Sequence, residues 1–285
     1  MFDDKLSIMA TKLIAESGST KTDWVLLRNG KILEQIKTDG FNPNLQSAGD
    51  IVAALQQQLQ LKHKPDEIFF YGAGVNSRIT GLLVKNALKA FFHTTKISVE
   101  NDILAAARGL CANKKGMVCI LGTGSNACYY DGKKIREQLA SLGFIAGDEG
   151  SGNHMGKRIL QHYAYNTFDA ELRQYFEEHF GNDLNEIITH LYKQPFPNRY
   201  LASFAPLLAD NRGHFMVENI IEDCFNDFFH HHLLKYRQSW RNPIYFTGSI
   251  AYTFSDVIRN LCDQYEFELG TIEKNPMKGL IAYHK

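Results

Sequence analysis

Short apolar runs, each closed by a polar glycine turn, set the pattern of this chain. Lys12-Leu13-Ile14-Ala15, Met117-Val118-Cys119-Ile120-Leu121 and Ile244-Tyr245-Phe246 predict strands. They lead into Glu16-Ser17-Gly18-Ser19-Thr20-Lys21-Thr22, Gly122-Thr123-Gly124-Ser125-Asn126 and Thr247-Gly248-Ser249-Ile250-Ala251. After the first turn, the strand Asp23–Leu27 closes on Asn29-Gly30, a strong hairpin signal, and a return strand runs from Lys31 to Thr38. A helical pattern over residues 47–61, a strand over 67–71, a helix ending at Phe92 and a strand from Lys96 to Glu100 complete a β-hairpin followed by β/α alternation. A second cycle opens at Met117 with strand, glycine turn, a strand over 127–130 and a turn at Asp131-Gly132. The repeat predicts two related halves, the second carrying a helical block from about Ser151 to Trp240.

The expected division is residues 12–112 plus 268–285 for the first lobe and 113–267 for the second. Ala105–Ala112 carries the chain across, and a C-terminal helix over Pro276–His284 returns. Residues 1–11 read as a disordered extension, since Met9 would also serve as a start just before the first strand. Ligands are expected in a cleft where loops of both lobes converge.

At 285 residues and 44% hydrophobic content the chain supports two cores. Basic and acidic residues balance at 31 each, which points away from nucleic acid and membrane surfaces and towards a small-molecule partner. No run reaches the roughly 18 apolar residues of a membrane span. Five cysteines without C-x-x-C spacing read as reduced core thiols of a cytoplasmic protein.

Backbone N–H groups of glycine turns cradle phosphate oxygens without side-chain obstruction, and flanking hydroxyls add donors. Asp102 ends the strand Val99-Glu100-Asn101-Asp102, and a carboxylate at a strand end can accept the proton of a bound hydroxyl; its position also suits capping the helix that follows. Lys21 lacks Walker spacing and is either a phosphate contact or a surface lysine. Asn42, Asn126 and Asp148 sit on turns where planar amides and carboxylates can pair with hydroxyls. His230-His231-His232 cannot converge on one ion from a helix, and Phe225, Phe228, Phe229 and Leu233 recur at core spacing.

Gly147-Asp148-Glu149-Gly150-Ser151-Gly152, with Gly124-Ser125-Asn126, Asn42 and Thr189-His190-Leu191-Tyr192, resembles the N-acetylglucosamine kinase branch of the sugar-kinase, heat-shock-chaperone and actin superfamily, also described as the BadF/BadG/BcrA/BcrD-type ATPase family. The resemblance runs from Lys12 to His284 and implies an α/β, two-lobed actin-like ATPase fold of ribonuclease-H-like halves around a nucleotide cleft. It implies ATP and Mg²⁺ as cofactors, and an amino sugar as substrate. It assigns the β- and γ-phosphates to Gly18, Ser19, Thr20, Lys21, Gly122 and Thr123, and the adenosine side to Gly248 and Ser249. Asp102 becomes the base, Glu16 the magnesium residue, and Asn42, Gly124, Ser125, Asn126, Gly143 and Asp148 the sugar contacts.

The reaction implied is N-acetylglucosamine and ATP to N-acetylglucosamine 6-phosphate and ADP. Kinases for N-acetylmuramic acid or glucosamine, and an ATPase coupled to a partner protein, stay open, as does a homodimer. The chain departs from the branch at Ser141-Leu142-Gly143, where relatives commonly read G-W-G, so a sugar facing this loop meets an aliphatic side chain.

Overall fold

A computed structural model describes residues 10–94 and 96–285, so the extension expected over residues 1–11 lies outside the described residues except at its last two positions. Thr11 corrects that expectation. It is buried, and its N–H donates to Asp66 Oδ2 at 2.7 Å, which ties it to the segment leading into a strand.

The chain divides into two compact units, one of residues up to Ala112 with Pro276–Lys285, the other Asn113–Asn275. The first unit begins with β1 (Lys12–Ser17), β2 (Lys21–Arg28) and β3 (Lys31–Asp39), then α1 (Ala48–Gln58), β4 (Glu67–Gly72), α2 (Arg78–Phe92), β5 (Ile97–Asn101) and α3 (Asp102–Cys111). Its sheet runs β3-β2-β1-β4-β5, with β1 antiparallel to β2 and parallel to β4. Asn29 and Gly30 both take positive φ, 52° and 70°, as the two-residue turn between β2 and β3 requires.

Alternation along β1 divides the core of this unit. Leu13 and Ala15 join Trp24, Phe41 and Phe70 against α1 and α2, while Ile14 joins Val25, Tyr71 and Ala105 on the opposite face.

The second unit opens with β6 (Gly116–Leu121), β7 (Ser125–Tyr130) and β8 (Ile135–Gln138). After the short α4 (Gly143–Ala146), six α-helices divide the expected helical block: α5 (Gly152–Ala164), α6 (Ala170–Phe180), α7 (Leu184–Lys193), α8 (Pro197–Ala202), α9 (Pro206–Asp210) and α10 (Phe215–His231). Pro197 and Pro206 start helices because their fixed φ suits a first turn and their missing N–H is not needed there. The unit ends with β9 (Ile244–Thr247), α11 (Ser249–Thr253), α12 (Ser255–Gln264) and β10 (Leu269–Glu273).

Its sheet order, β10-β9-β6-β7-β8, repeats that of the first unit from the opposite end. β10 pairs in parallel with β9, Ile272 opposite Phe246, so residues 268–275 belong here, and the returning segment begins at Pro276 rather than 268. Phe225, Phe228, Phe229 and Leu233 are fully buried, as their spacing predicts. The histidine run diverges: His230 Nε2 meets the Tyr265 hydroxyl, His231 Nδ1 the Asp227 carbonyl and His232 Nε2 the Glu149 carboxylate.

The last helix, α13 (Met277–Tyr283), packs on α3 in the first unit. Glycines allow this approach, since a Cβ on Gly279 would lie 1.7 Å from the Gly109 carbonyl oxygen. Beyond it, the buried His284 Nε2 meets the Tyr71 hydroxyl at 2.8 Å, and Arg108 Nη1 donates to that hydroxyl at 2.8 Å. Burial, with the charges of Arg108 and Lys12, pushes the His284 imidazole down to about 4, so it is neutral at physiological pH. No helix among the described residues is long and apolar enough to cross a membrane.

Candidate active site

In the first unit, the parallel strands β1, β4 and β5 end in register, Glu16 opposite Tyr71 and Gly72 opposite Asn101. Carboxyl ends of parallel strands are where open α/β sheets take ligands. The turn after β1 closes by Gly18 N–H donating to Lys21 O at 2.9 Å. Gly40 lies directly on this turn, and a Cβ there would sit 2.2 Å from Gly18 O. Ser17 anchors it further: its carbonyl accepts from Ala73 N–H at 2.8 Å, and its Oγ accepts from Thr22 Oγ1 and Phe41 N–H. Gly18 and Ser19 are half-buried on this fixed turn, with Thr20 and Lys21 exposed. Lys21 Nζ lies 3.5 Å from Asp23 Oδ2.

Glu16 shares the α3 side of the sheet with Ile14, and its cross-strand partner is Asp23. Burial and the negative charges of Asp102 and Asp23 push its carboxyl up to about 8, against the opposing pull of Lys21. Asp23 was not singled out in the sequence, although a charge inside the buried run of β2 was its signal. Asp102 is the first residue of α3, its Oδ1 accepting from Ile103 N–H at 2.8 Å. The cap itself is Asn101, whose side chain accepts from Leu104 N–H at 3.0 Å, so Asp102 is not needed for capping. Asn42 lies in a neighbouring loop, its Oδ1 accepting from Asn44 N–H at 3.1 Å in an Asx turn.

The acidic group carries a stability prediction. Burial and the charges of Asp102 and Asp23 raise the Glu16 carboxyl from its ordinary 4.5 to about 8, so its contribution to stability is complete below 4.5 and lost as pH rises through 8. Glu16→Gln removes that loss. Its melting temperature, measured without divalent metal, is expected to exceed that of the parent by several degrees at pH 9 and to match it near pH 4.

In the second unit, four segments converge. The turn between β6 and β7 closes by Gly122 N–H donating to Gly124 O at 3.0 Å. The start of α5 docks on it: Gly152 N–H donates to Gly122 O at 2.8 Å and Asn153 N–H to Thr123 O at 3.0 Å. Asp148 reaches the same turn, with Ser125 N–H 3.4 Å from its Oδ1, and a Cβ on Gly124 would lie 2.8 Å from its Oδ2. Gly248 completes the group at φ 120°, where a Cβ would fall 2.1 Å from Leu121 O. Ser249, exposed, begins the five-residue α11. Ser125 Oγ, Asn153 Oδ1 and Thr247 Oγ1 are buried here with no hydrogen-bond partner.

Burial raises the Asp148 carboxyl, opposed by hydrogen bonds from Asn153 and Ser125 and by the charge of Lys157. The turn is clamped to α10 by Glu149 Oε2 on His232 Nε2 at 3.0 Å, and the carboxyl of Glu149 is held below the usual range. Gly143 opens α4 at φ 69°, and Lys157 Nζ ties that turn down by donating to Phe144 O at 2.8 Å. Leu142 beside it is exposed. Asn126 alternates to the face opposite Ser125, its Oδ1 accepting from Gln138 Nε2 at 3.2 Å, and Thr189–Tyr192 lies on α7; neither joins the Asp148 group. Asn153 and Lys157 carry no distinguishing signal in the sequence, since each reads as an ordinary residue of a helical run.

No family model matches the chain. A solved structure from Porphyromonas gingivalis, described as a "Putative N-acetylglucosamine Kinase", shares 36% identity at a TM-score of 0.90, covering 95% of this chain and 98% of that one. An N-acetylmuramic acid/N-acetylglucosamine kinase of Clostridium acetobutylicum is 25% identical over 168 residues, so the match spans about half of each protein, 55% of this chain and 54% of that one. A ROK family glucokinase from Streptomyces griseus, solved with glucose and AMPPNP, has a TM-score of 0.57 at 15% identity over 96% of this chain and 97% of its own. The repeated sheets define an actin-like ATPase fold, shared with these structures. On its likeness to the Porphyromonas protein, the chain belongs to the N-acetylglucosamine kinase family.

Proposed function

We propose that this chain is an ATP-dependent amino-sugar kinase that transfers the γ-phosphoryl group of ATP to the O6 hydroxyl of N-acetylglucosamine. The observation that carries the reading is the placement of Asp102 at the carboxyl end of β5, beside Glu16, with its helix already capped by Asn101. In this mechanism the Asp102 carboxylate accepts the hydroxyl proton as the sugar oxygen attacks the γ-phosphorus and the bond to the bridging oxygen breaks, releasing ADP. Backbone N–H groups of the turns at Gly18–Lys21 and Gly122–Gly124 take the phosphate oxygens, and the Gly248-Ser249 turn takes the adenosine side. Asp148 accepts from sugar hydroxyls, with Ser125 and Gly143 lining the same subsite; the resemblance also offers Asn42 and Asn126 as sugar contacts, but Asn126 faces away from the Asp148 group.

The carboxylates of Glu16, Asp23 and Asp102 suit a hard divalent cation, because a positive charge would offset the burial and the repulsion from Asp102 and Asp23 that raise the Glu16 carboxyl. Among the described residues no three acidic, histidine or cysteine side chains converge to hold an ion alone; Mg²⁺ commonly keeps several waters and is shared with substrate phosphates, with Glu16 the residue to hold it here. Bound there, Mg²⁺ would neutralise charge on the phosphates.

The test is ATP consumption by the purified protein with Mg²⁺ against N-acetylglucosamine, N-acetylmuramic acid, glucosamine, N-acetylmannosamine and glucose, with mass spectrometry of the products. A phosphomonoester of N-acetylglucosamine is expected, and ATP hydrolysis indifferent to every sugar would overturn the reading.

A further inference from the structure

We propose that Asn153 is a positioning residue that ties the sugar-binding carboxylate of Asp148 to the phosphate turn at Gly122–Gly124, an inference that rests on the kinase reading above. Asn153 is fully buried in the first turn of α5. Its Nδ2 donates to Thr123 O at 2.6 Å and to Asp148 Oδ2 at 2.7 Å, using both amide protons on acceptors that belong to different subsites. The orientation is fixed, since turning the amide would set its oxygen against two others. Its backbone N–H donates to the same Thr123 carbonyl at 3.0 Å, so that carbonyl is held twice by one residue. Oδ1 has no hydrogen-bond partner, and a buried unpartnered oxygen is costly to keep. The amide therefore serves its two donated bonds rather than its own satisfaction.

Asp148 depends on this contact more than its neighbours do. Its backbone takes a φ of 62°, unusual for a non-glycine residue, and the residue is half-buried. The groups facing it are the Asn153 amide and the Lys157 ammonium from α5, the Ser125 N–H from β7 and the Glu149 carboxylate beside it. Asn153 supplies a hydrogen bond that favours the ionised form, which a sugar hydroxyl needs as its acceptor. A shift of the phosphate turn therefore moves the sugar carboxylate with it, and filling one subsite preorganises the other.

The experiment measures kcat and the KM values for N-acetylglucosamine and ATP from pH 5.5 to 9, with melting temperatures, for the parent chain, Asn153→Asp and Asn153→Ser. In the parent, sugar KM rises as pH falls and Asp148 takes a proton. Asn153→Asp sets a second carboxyl against Asp148. At pH 8 its sugar KM is expected to rise at least about tenfold, the loss of one hydrogen bond to a charged group. On acidification the pair shares a proton, so its sugar KM falls while that of the parent rises. Asn153→Ser is expected to move the acid limb of the sugar KM profile to higher pH.

A folded Asn153→Asp with the parental sugar KM profile, or with sugar and ATP KM raised together and no inversion, overturns the role. If that variant does not fold, an unmoved acid limb in Asn153→Ser overturns it. Absence of sugar-dependent turnover in the parent refutes the kinase reading and this role with it; turnover with unaffected variants refutes this role alone.

Discussion

Replacing Asp102 by asparagine is expected to lower kcat by about a hundred- to ten-thousand-fold, the usual range for removing a general base. ATP affinity should stay close to that of the parent. Asparagine keeps the size of the side chain but cannot accept the hydroxyl proton, so the loss falls on the chemical step. Folding is protected because Asn101 caps α3, and losing a charge in the first helical turn costs only about 0.3–1 kcal/mol. A second readout separates this role from damage. Asp102 is the charge that contributes most to raising the Glu16 carboxyl, so the variant should hold its stability better than the parent between pH 7 and 9. Near-parental kcat in Asp102→Asn would remove it as the base.

Gly248→Ala is expected to destabilise the second unit by about 3 kcal/mol or more, read as a lower urea midpoint, and to abolish measurable nucleotide binding. Two costs add. The backbone at φ 120° and ψ 159° is accessible essentially to glycine alone, and the new Cβ would lie 2.1 Å from Leu121 O and 2.5 Å from Leu121 C. Backbone must then separate, which lifts the β9–α11 turn from the Gly122 turn. Gly122→Ala is the matched control. Its φ is not positive and no atom lies within 4 Å of the added carbon, so the fold should survive, whereas the carbon enters the space expected of phosphate and raises the ATP KM. Equal losses of stability in both variants would contradict the argument.

Much of this arrangement was written locally in the chain. The Asn29-Gly30 turn, the three strand-to-glycine turns and the apolar spacing of Phe225, Phe228 and Phe229 depend on neighbours a few residues away, and the structure follows them. Asp148 and Gly124 were legible as turn residues, but their contact across 24 positions was not. Gly40 carried no local sign of its role, because what forbids a side chain there is the distant carbonyl of Gly18. β10 escaped because its edge position leaves its pattern weakly apolar, which blurred the boundary at residue 268. Asn153 reads as a mediocre helix former, and only folding shows that its amide has two acceptors.

The return of α13 to the first unit also sets an order of assembly. Residues 113–275 form a unit that is contiguous in sequence, whereas the other unit needs Pro276–Lys285 to cover Ile14, Val25 and Tyr71. During synthesis the ribosome therefore releases every residue of the second unit before it releases the piece that completes the unit begun first. Until residues 276–285 emerge, the face of the opening sheet that carries Ile14, Val25 and Tyr71 lacks part of its cover, and a ribosome stalled before Pro276 would hold out a nascent chain with the second unit synthesised and the first still open.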